Sequence, residues 1–143
     1  MTLRALLRIV LGLVFVVASL DKTLNPAAFA SIVFNYSILP DHLVNVAALI
    51  LPWLELLTGL CLIFDMLTLG ASGIAFGLMC VFLAALGINA LRGIDVACGC
   101  FSTDTSGGGS GLWTLGRDAG LLLLAFAVFR CETIRARRNT KLP

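Results

Sequence analysis

The sequence predicts an all-α fold: an integral membrane four-helix bundle with a short interfacial helix after the first span. Three observations carry that prediction. Hydrophobic residues make up 59% of the 143-residue chain and charged ones only 13%, against roughly half and a quarter in soluble domains. A soluble domain of this size buries only about two thirds of its unfolded surface, so much of that apolar content would face water. The apolar residues also gather into four runs, each close to the ~20 residues that cross the hydrocarbon layer. Finally, most basic residues lie at the two ends of the chain without interleaved aromatic residues, which sets nucleic acid aside and leaves the lipid bilayer as the partner.

The first run, Leu3 to Leu20, carries Arg4 and Arg8 at its start. A signal peptide would look similar, but Val17 to Ser19 is a weak small-x-small cleavage site, so the run is read as a retained span. Asn25-Pro26 then favours a helix start, and Phe29, Ile32, Val33 and Tyr36 recur at three- and four-residue spacings, the pattern of a short amphipathic helix in the interface. Pro40 and Asp41 lead into the second span, Leu43 to Phe64, with Asp41 placed to cap its first turn. A tight turn at Asp65 to Thr68 precedes the third span, Leu69 to Leu91. A connection from Arg92 to Gly111 follows, and its Ser- and Gly-rich stretch from Ser102 has the composition of a flexible loop. The fourth span runs from Leu112 to Phe129, and the four spans make a single domain.

Orientation follows from the basic residues. Arg4 and Arg8 at one end, and Arg130, Arg135, Arg137, Arg138 and Lys141 at the other, put both termini in the cytoplasm. The two longer connections then face outward, carrying Lys22 and Arg92, with Arg117 just beyond. Helices in lipid associate by close backbone approach, so stripes of small residues mark candidate contact faces. Gly73, Gly77, Cys80, Ala84 and Gly87 form one on the third span, Gly116 and Gly120 a pair on the fourth, and Ala48, Pro52, Glu55 and Gly59 a face on the second. Such faces also suit a homo- or hetero-oligomer.

Glu55 lies about twelve residues into the second span, roughly 18 Å along the helix and near mid-bilayer. A carboxylate there costs about 2.5–3.5 kcal/mol, so it must face the bundle interior, either as a structural lock or as a proton relay. On either reading Glu55→Gln should keep the assembly intact. Arg117 is one candidate partner, though about 10 Å away in depth, and Asp118 is placed to neutralise Arg117 locally.

The densest chemistry is Cys98-Gly99-Cys100-Phe101 on the outer connection. Cysteines one residue apart reach disulfide geometry only by bending the backbone, which the glycine allows. Such a bond is strained, hence oxidising toward other dithiols, and the outer compartment suits that exchange. A structural disulfide to another cysteine or subunit, or two unpaired small residues at a tight turn, are the plainer alternatives. Lys22 and Arg92 could stabilise a thiolate or simply snorkel to the interface. Cys61, Cys80 and Cys131 read as packing residues, His42 as interfacial, and no metal site is expected, since the ligand spacing for one is missing.

Taken together, Arg8, Gly12, Lys22, Pro26, Phe29, Leu39-Pro40, Pro52, Glu55, Gly59, the Cys-Gly-Cys-Phe run and Arg117-Asp118 resemble the DoxX-like membrane proteins, and within them the methylamine-utilisation MauE type. Asp118 departs from the asparagine usual there, as does the long Ser/Gly run. The resemblance implies four spans in the bacterial inner membrane and a redox role at the periplasmic face, assisting disulfide formation in a periplasmic enzyme subunit. The function expected is a membrane thiol-disulfide redox protein: Cys98 and Cys100 exchange disulfide with a periplasmic thiol protein, supported by Glu55, Lys22, Arg92 and Arg117. A membrane quinone is the electron acceptor suggested by analogy with other four-helix disulfide-generating proteins. The alternative is a non-catalytic subunit or assembly factor of a larger complex; a small-molecule or metal-ion carrier has only Glu55 and the cysteine pair behind it.

Overall fold

The computed structural model describes residues 3–35, 40–92 and 111–140. These form five α-helices in the order α1 (Leu3–Leu24), α2 (Pro26–Asn35), α3 (Asp41–Ile63), α4 (Thr68–Leu91) and α5 (Gly111–Thr140). Three of them, α1, α3 and α4, are long and apolar enough to cross a membrane. The fourth apolar run lies inside α5, whose helix continues past Phe129 through the arginine-rich segment to Thr140.

In α1 the buried positions Arg8, Leu11, Phe15, Ala18 and Lys22 recur every three or four residues, which sets one face of the helix against the bundle. The opposite face leaves Leu13, Val17 and Leu20 half exposed. Similar exposure of Leu49, Trp53 and Leu57 on α3, Val81 on α4 and Leu123 on α5 gives an apolar outer surface suited to lipid or to another membrane helix.

The closest helix crossing is between α1 and α3. A Cβ on Gly12 would meet the Gly59 carbonyl oxygen at 2.8 Å, and one on Gly59 would meet the Gly12 oxygen at 2.8 Å. Both positions therefore require glycine for the backbones to approach this closely. The small-residue face expected on α3 is thus a true contact face. The stripe expected on α4 is not: nothing lies within 4 Å of a Cβ built on Gly77 or Gly87, nor on Gly116 or Gly120 of α5. In α4 the buried residues are Ala71, Ser72, Ala75, Met79, Leu86 and Asn89, nearly opposite Gly77 around the helix. Of the three glycines in that stripe only Gly73 has a neighbour within reach of a Cβ, the Phe129 ring at 3.4 Å. Side-chain volume decides this: Phe15, Met79 and Leu62 fill the core with Ala71, Ala75 and Ala125, so α4 offers its alanines where space is tight.

Pro26 opens α2 at the position where its missing N–H costs nothing, and the Phe29 N–H donates to the Asn25 oxygen at 3.1 Å. Phe29 and Val33 pack on Val44 and Ala48 of α3, as the spacing in this segment predicts. Tyr36 lies outside the described residues. Helix α3 begins at Asp41 itself, leaving Pro40 in the capping position without a side-chain cap; the expected Asp41 cap is one residue out of register. Between α3 and α4, Asp65 and Leu67 adopt positive φ values of 59° and 47°, a conformation costly for non-glycine residues. Asp65 is held there by Arg8 of α1 and by Arg135 of α5 at 3.2 Å. Helices α4 and α5 run antiparallel, with Phe76 packed against Phe126 and Phe129 at centroid distances of 5.7 and 6.1 Å.

A buried ion pair as candidate functional site

Lys22 is one of the most deeply buried side chains, at 1% exposure, and Glu55 is 2% exposed. The Lys22 ammonium donates to both carboxylate oxygens of Glu55, at 2.6 Å to Oε1 and 2.7 Å to Oε2. From the Gly12–Gly59 crossing, Lys22 is ten residues up α1 and Glu55 four residues up α3, an axial offset of about 9 Å. The tilt of helical side chains toward their own N-terminus closes that gap, because the two helices are antiparallel and both side chains lean toward each other. Glu55 therefore faces the bundle interior as expected, but its partner is Lys22 and not Arg117. Lys22 does not snorkel to the interface, since the carboxylate it meets lies inward.

The ammonium also sits over two aromatic faces, Phe29 of α2 at 5.1 Å and Phe82 of α4 at 4.8 Å from the ring centroids, so three elements besides its own enclose it. Around the pair, Phe15, Ala18, Met79, Phe82 and Leu121 line a void of about 10 Å³, the size needed for one water molecule. Within such a buried pair a proton can move between the Lys22 ammonium and the Glu55 carboxylate across a 2.6 Å hydrogen bond without changing the pair's net charge.

Arg117 donates to Asp118 at 3.3 Å, the local neutralisation expected of them, and Asp118 adds to the negative potential at Lys22. Arg92 is exposed just after α4. Cys98, Cys100, Gly99 and the Ser/Gly run lie outside the described residues. Because Phe82, toward the C-terminal end of α4, reaches Lys22, α4 leaves and α5 enters the bundle at the Lys22 end, and the connection bearing the cysteines is tied there at both ends. Cys61, Cys80 and Cys131 are half-buried free thiols, consistent with packing. His42 is exposed, and among the described residues no three His, Cys, Asp or Glu side chains group as metal ligands.

Sequence reasoning missed two features. The aromatic enclosure of Lys22 was visible only as Phe29 on a helix face and Phe82 in a span. At the opposite end, Glu132 of α5 is 2% exposed, accepts from Thr68 at 2.9 Å and lies 3.7 Å from Arg4; its signal was a lone acid amid arginines.

Residues 1–130 match the family model described as methylamine utilisation protein MauE. The methylamine utilization protein MauE of Paracoccus denitrificans is 40% identical over 123 residues, 85% of this chain and 66% of its own length. That of Methylorubrum extorquens is 37% identical over 113 residues, 78% and 60% of the two chains, and that of Methylophilus methylotrophus 34% over 121 residues, 82% and 64%. This chain thus spans somewhat less than two thirds of the length of these relatives. No solved structure matches. With the family model running from α1 into α5 and through the Lys22–Glu55 pair, the chain belongs to the MauE family.

Proposed function

We propose that this chain is a four-span membrane thiol-disulfide redox protein, kin to the wider DoxX-like proteins, that serves methylamine utilisation from the bacterial inner membrane. Both termini are cytoplasmic, and Cys98 and Cys100 face the periplasm. The observation that carries the reading is the joining of the Cys98-Gly99-Cys100 connection to the end of the bundle that holds Lys22 and Glu55. The chemistry balances as exchange: the Cys98–Cys100 disulfide accepts two electrons from a partner dithiol, whose thiolate attacks one sulfur; the mixed disulfide is resolved by the partner's second thiol, and the released pair takes up two protons. Lys22 is committed to Glu55, so Arg92, next to the connection, is the cation that stabilises the leaving thiolate.

Electrons leave to a second thiol protein or a membrane quinone. The one-water void at Lys22–Glu55 has no room for a quinone ring, so a quinone would approach Cys98 and Cys100 from the lipid side. A non-catalytic subunit is the second reading, favoured by the exposed Gly77 and Ala84 on α4, a face open to another membrane helix.

Single Cys98→Ser and Cys100→Ser variants test the proposal. Both should insert normally and lose oxidation of the periplasmic partner, and in one the remaining thiolate, attacking oxidised partner with no neighbouring thiol to resolve the bond, should leave a mixed disulfide visible on non-reducing gels. Full partner oxidation in both would favour the subunit reading.

A further inference from the structure

We propose that the end of the bundle opposite Lys22 carries a binding groove for the phosphodiester headgroup of an anionic phospholipid. Arg4 of α1 and Arg135 and Arg138 of α5 line a groove of about 280 Å³ together with Cys131 and Ile134. Among the described residues no carboxylate lines it, and six arginines at this end (Arg4, Arg8, Arg130, Arg135, Arg137 and Arg138) stand against two acids, Asp65 and Glu132. Both acids are already engaged: Asp65 by Arg8 and Arg135, and Glu132 by Thr68, Arg4 and Arg135. The surplus positive charge makes this end attractive to an external anion.

The groove's own construction says which kind. Glu132 lies 3.7 Å from both Arg4 and Arg135, steadying the two guanidiniums from behind while their side chains stay 39% and 37% exposed. Guanidiniums converging in this way suit the paired oxygens of a phosphate. Ile134 in the groove is 53% exposed and Leu3, next to Arg4 in sequence, 72%, apolar surface that suits the upper acyl chain of a lipid and not a free soluble anion. Arg135 and Arg138 fall beyond residue 130, where the match to the family model ends. The inference needs only a membrane setting and stands apart from the cysteine chemistry.

Native mass spectrometry of the full chain, released from micelles containing equal phosphatidylglycerol and phosphatidylcholine, tests it. The wild type should retain phosphatidylglycerol preferentially. Each of Arg4→Gln and Arg138→Gln should cut that preference about ten-fold, the effect of losing one hydrogen bond to a charged group. Arg137→Gln, outside the groove, should change it little, and excess inorganic phosphate should not displace the lipid, because it lacks the acyl contact. Equal loss in Arg137→Gln and Arg138→Gln would mean a diffuse charge effect and overturn the site; displacement by phosphate would overturn the lipid as its occupant. Unchanged preference in all variants would overturn both.

Discussion

At the residue scale, the Lys22–Glu55 pair sets what substitutions mean. Removing one partner leaves a charge in the apolar core, and breaking a buried pair this way costs about 3–5 kcal/mol, whereas replacing both by apolar side chains is often near neutral. Lys22→Met is therefore expected to lower the unfolding free energy in detergent by that amount, and Lys22→Met with Glu55→Leu to recover most of it. A double variant as unstable as the single would show that the pair does not act as a unit. Glu55→Gln, benign if the carboxylate stood alone, is expected to be costly here, because it strands the Lys22 ammonium between Phe29 and Phe82. Leu67 is the reverse case: 82% exposed and at φ 47°, it gives up no packing on substitution. Leu67→Gly should raise stability by about 0.5–1 kcal/mol by relieving a left-handed conformation, measured by the same unfolding assay.

At the scale of helices, the α1–α3 crossing is the sharpest constraint. Gly59→Ala places a methyl group against the Gly12 carbonyl and should cost about 1–3 kcal/mol, as overpacking does. Gly77→Ala meets nothing and should be neutral or stabilising by up to about 1 kcal/mol. Equal losses at the two glycines would contradict the helix arrangement. The contrast also marks what was legible beforehand. The apolar runs, the α2 face bearing Phe29, Ile32 and Val33, and the inward side of α3 with Glu55 and Gly59 follow from length and periodicity, which are local. Which small residues make contacts is not local: Gly59 and Gly77 look alike in sequence, and only the volume of the facing helix distinguishes them. The Lys22–Glu55 pair was hidden for a similar reason, since helix positions about 9 Å apart in height meet only through long side chains leaning in opposite directions. Arg117 and Asp118, adjacent in sequence, needed no such knowledge.

For the whole molecule, the two charged ends divide the labour. One end ties α1, the α3–α4 turn and α5 through Arg8, Asp65, Arg135 and Glu132; the other, where α4 leaves and α5 enters the bundle, buries Lys22 and Glu55. In the proposed orientation a membrane-impermeant thiol reagent, applied to intact cells after mild reduction, should label Cys98 and Cys100 and spare Cys131. Labelling of Cys131 from outside would invert the topology. The redox assignment itself is tested most directly by acid-quenched alkylation of native membranes followed by peptide mass spectrometry. Cys98 and Cys100 should be recovered partly linked to each other and partly as free thiols, a mixture that shifts with the redox state of the periplasm, while Cys61, Cys80 and Cys131 are alkylated throughout. Recovery of Cys98 and Cys100 as free thiols under every condition would contradict the account.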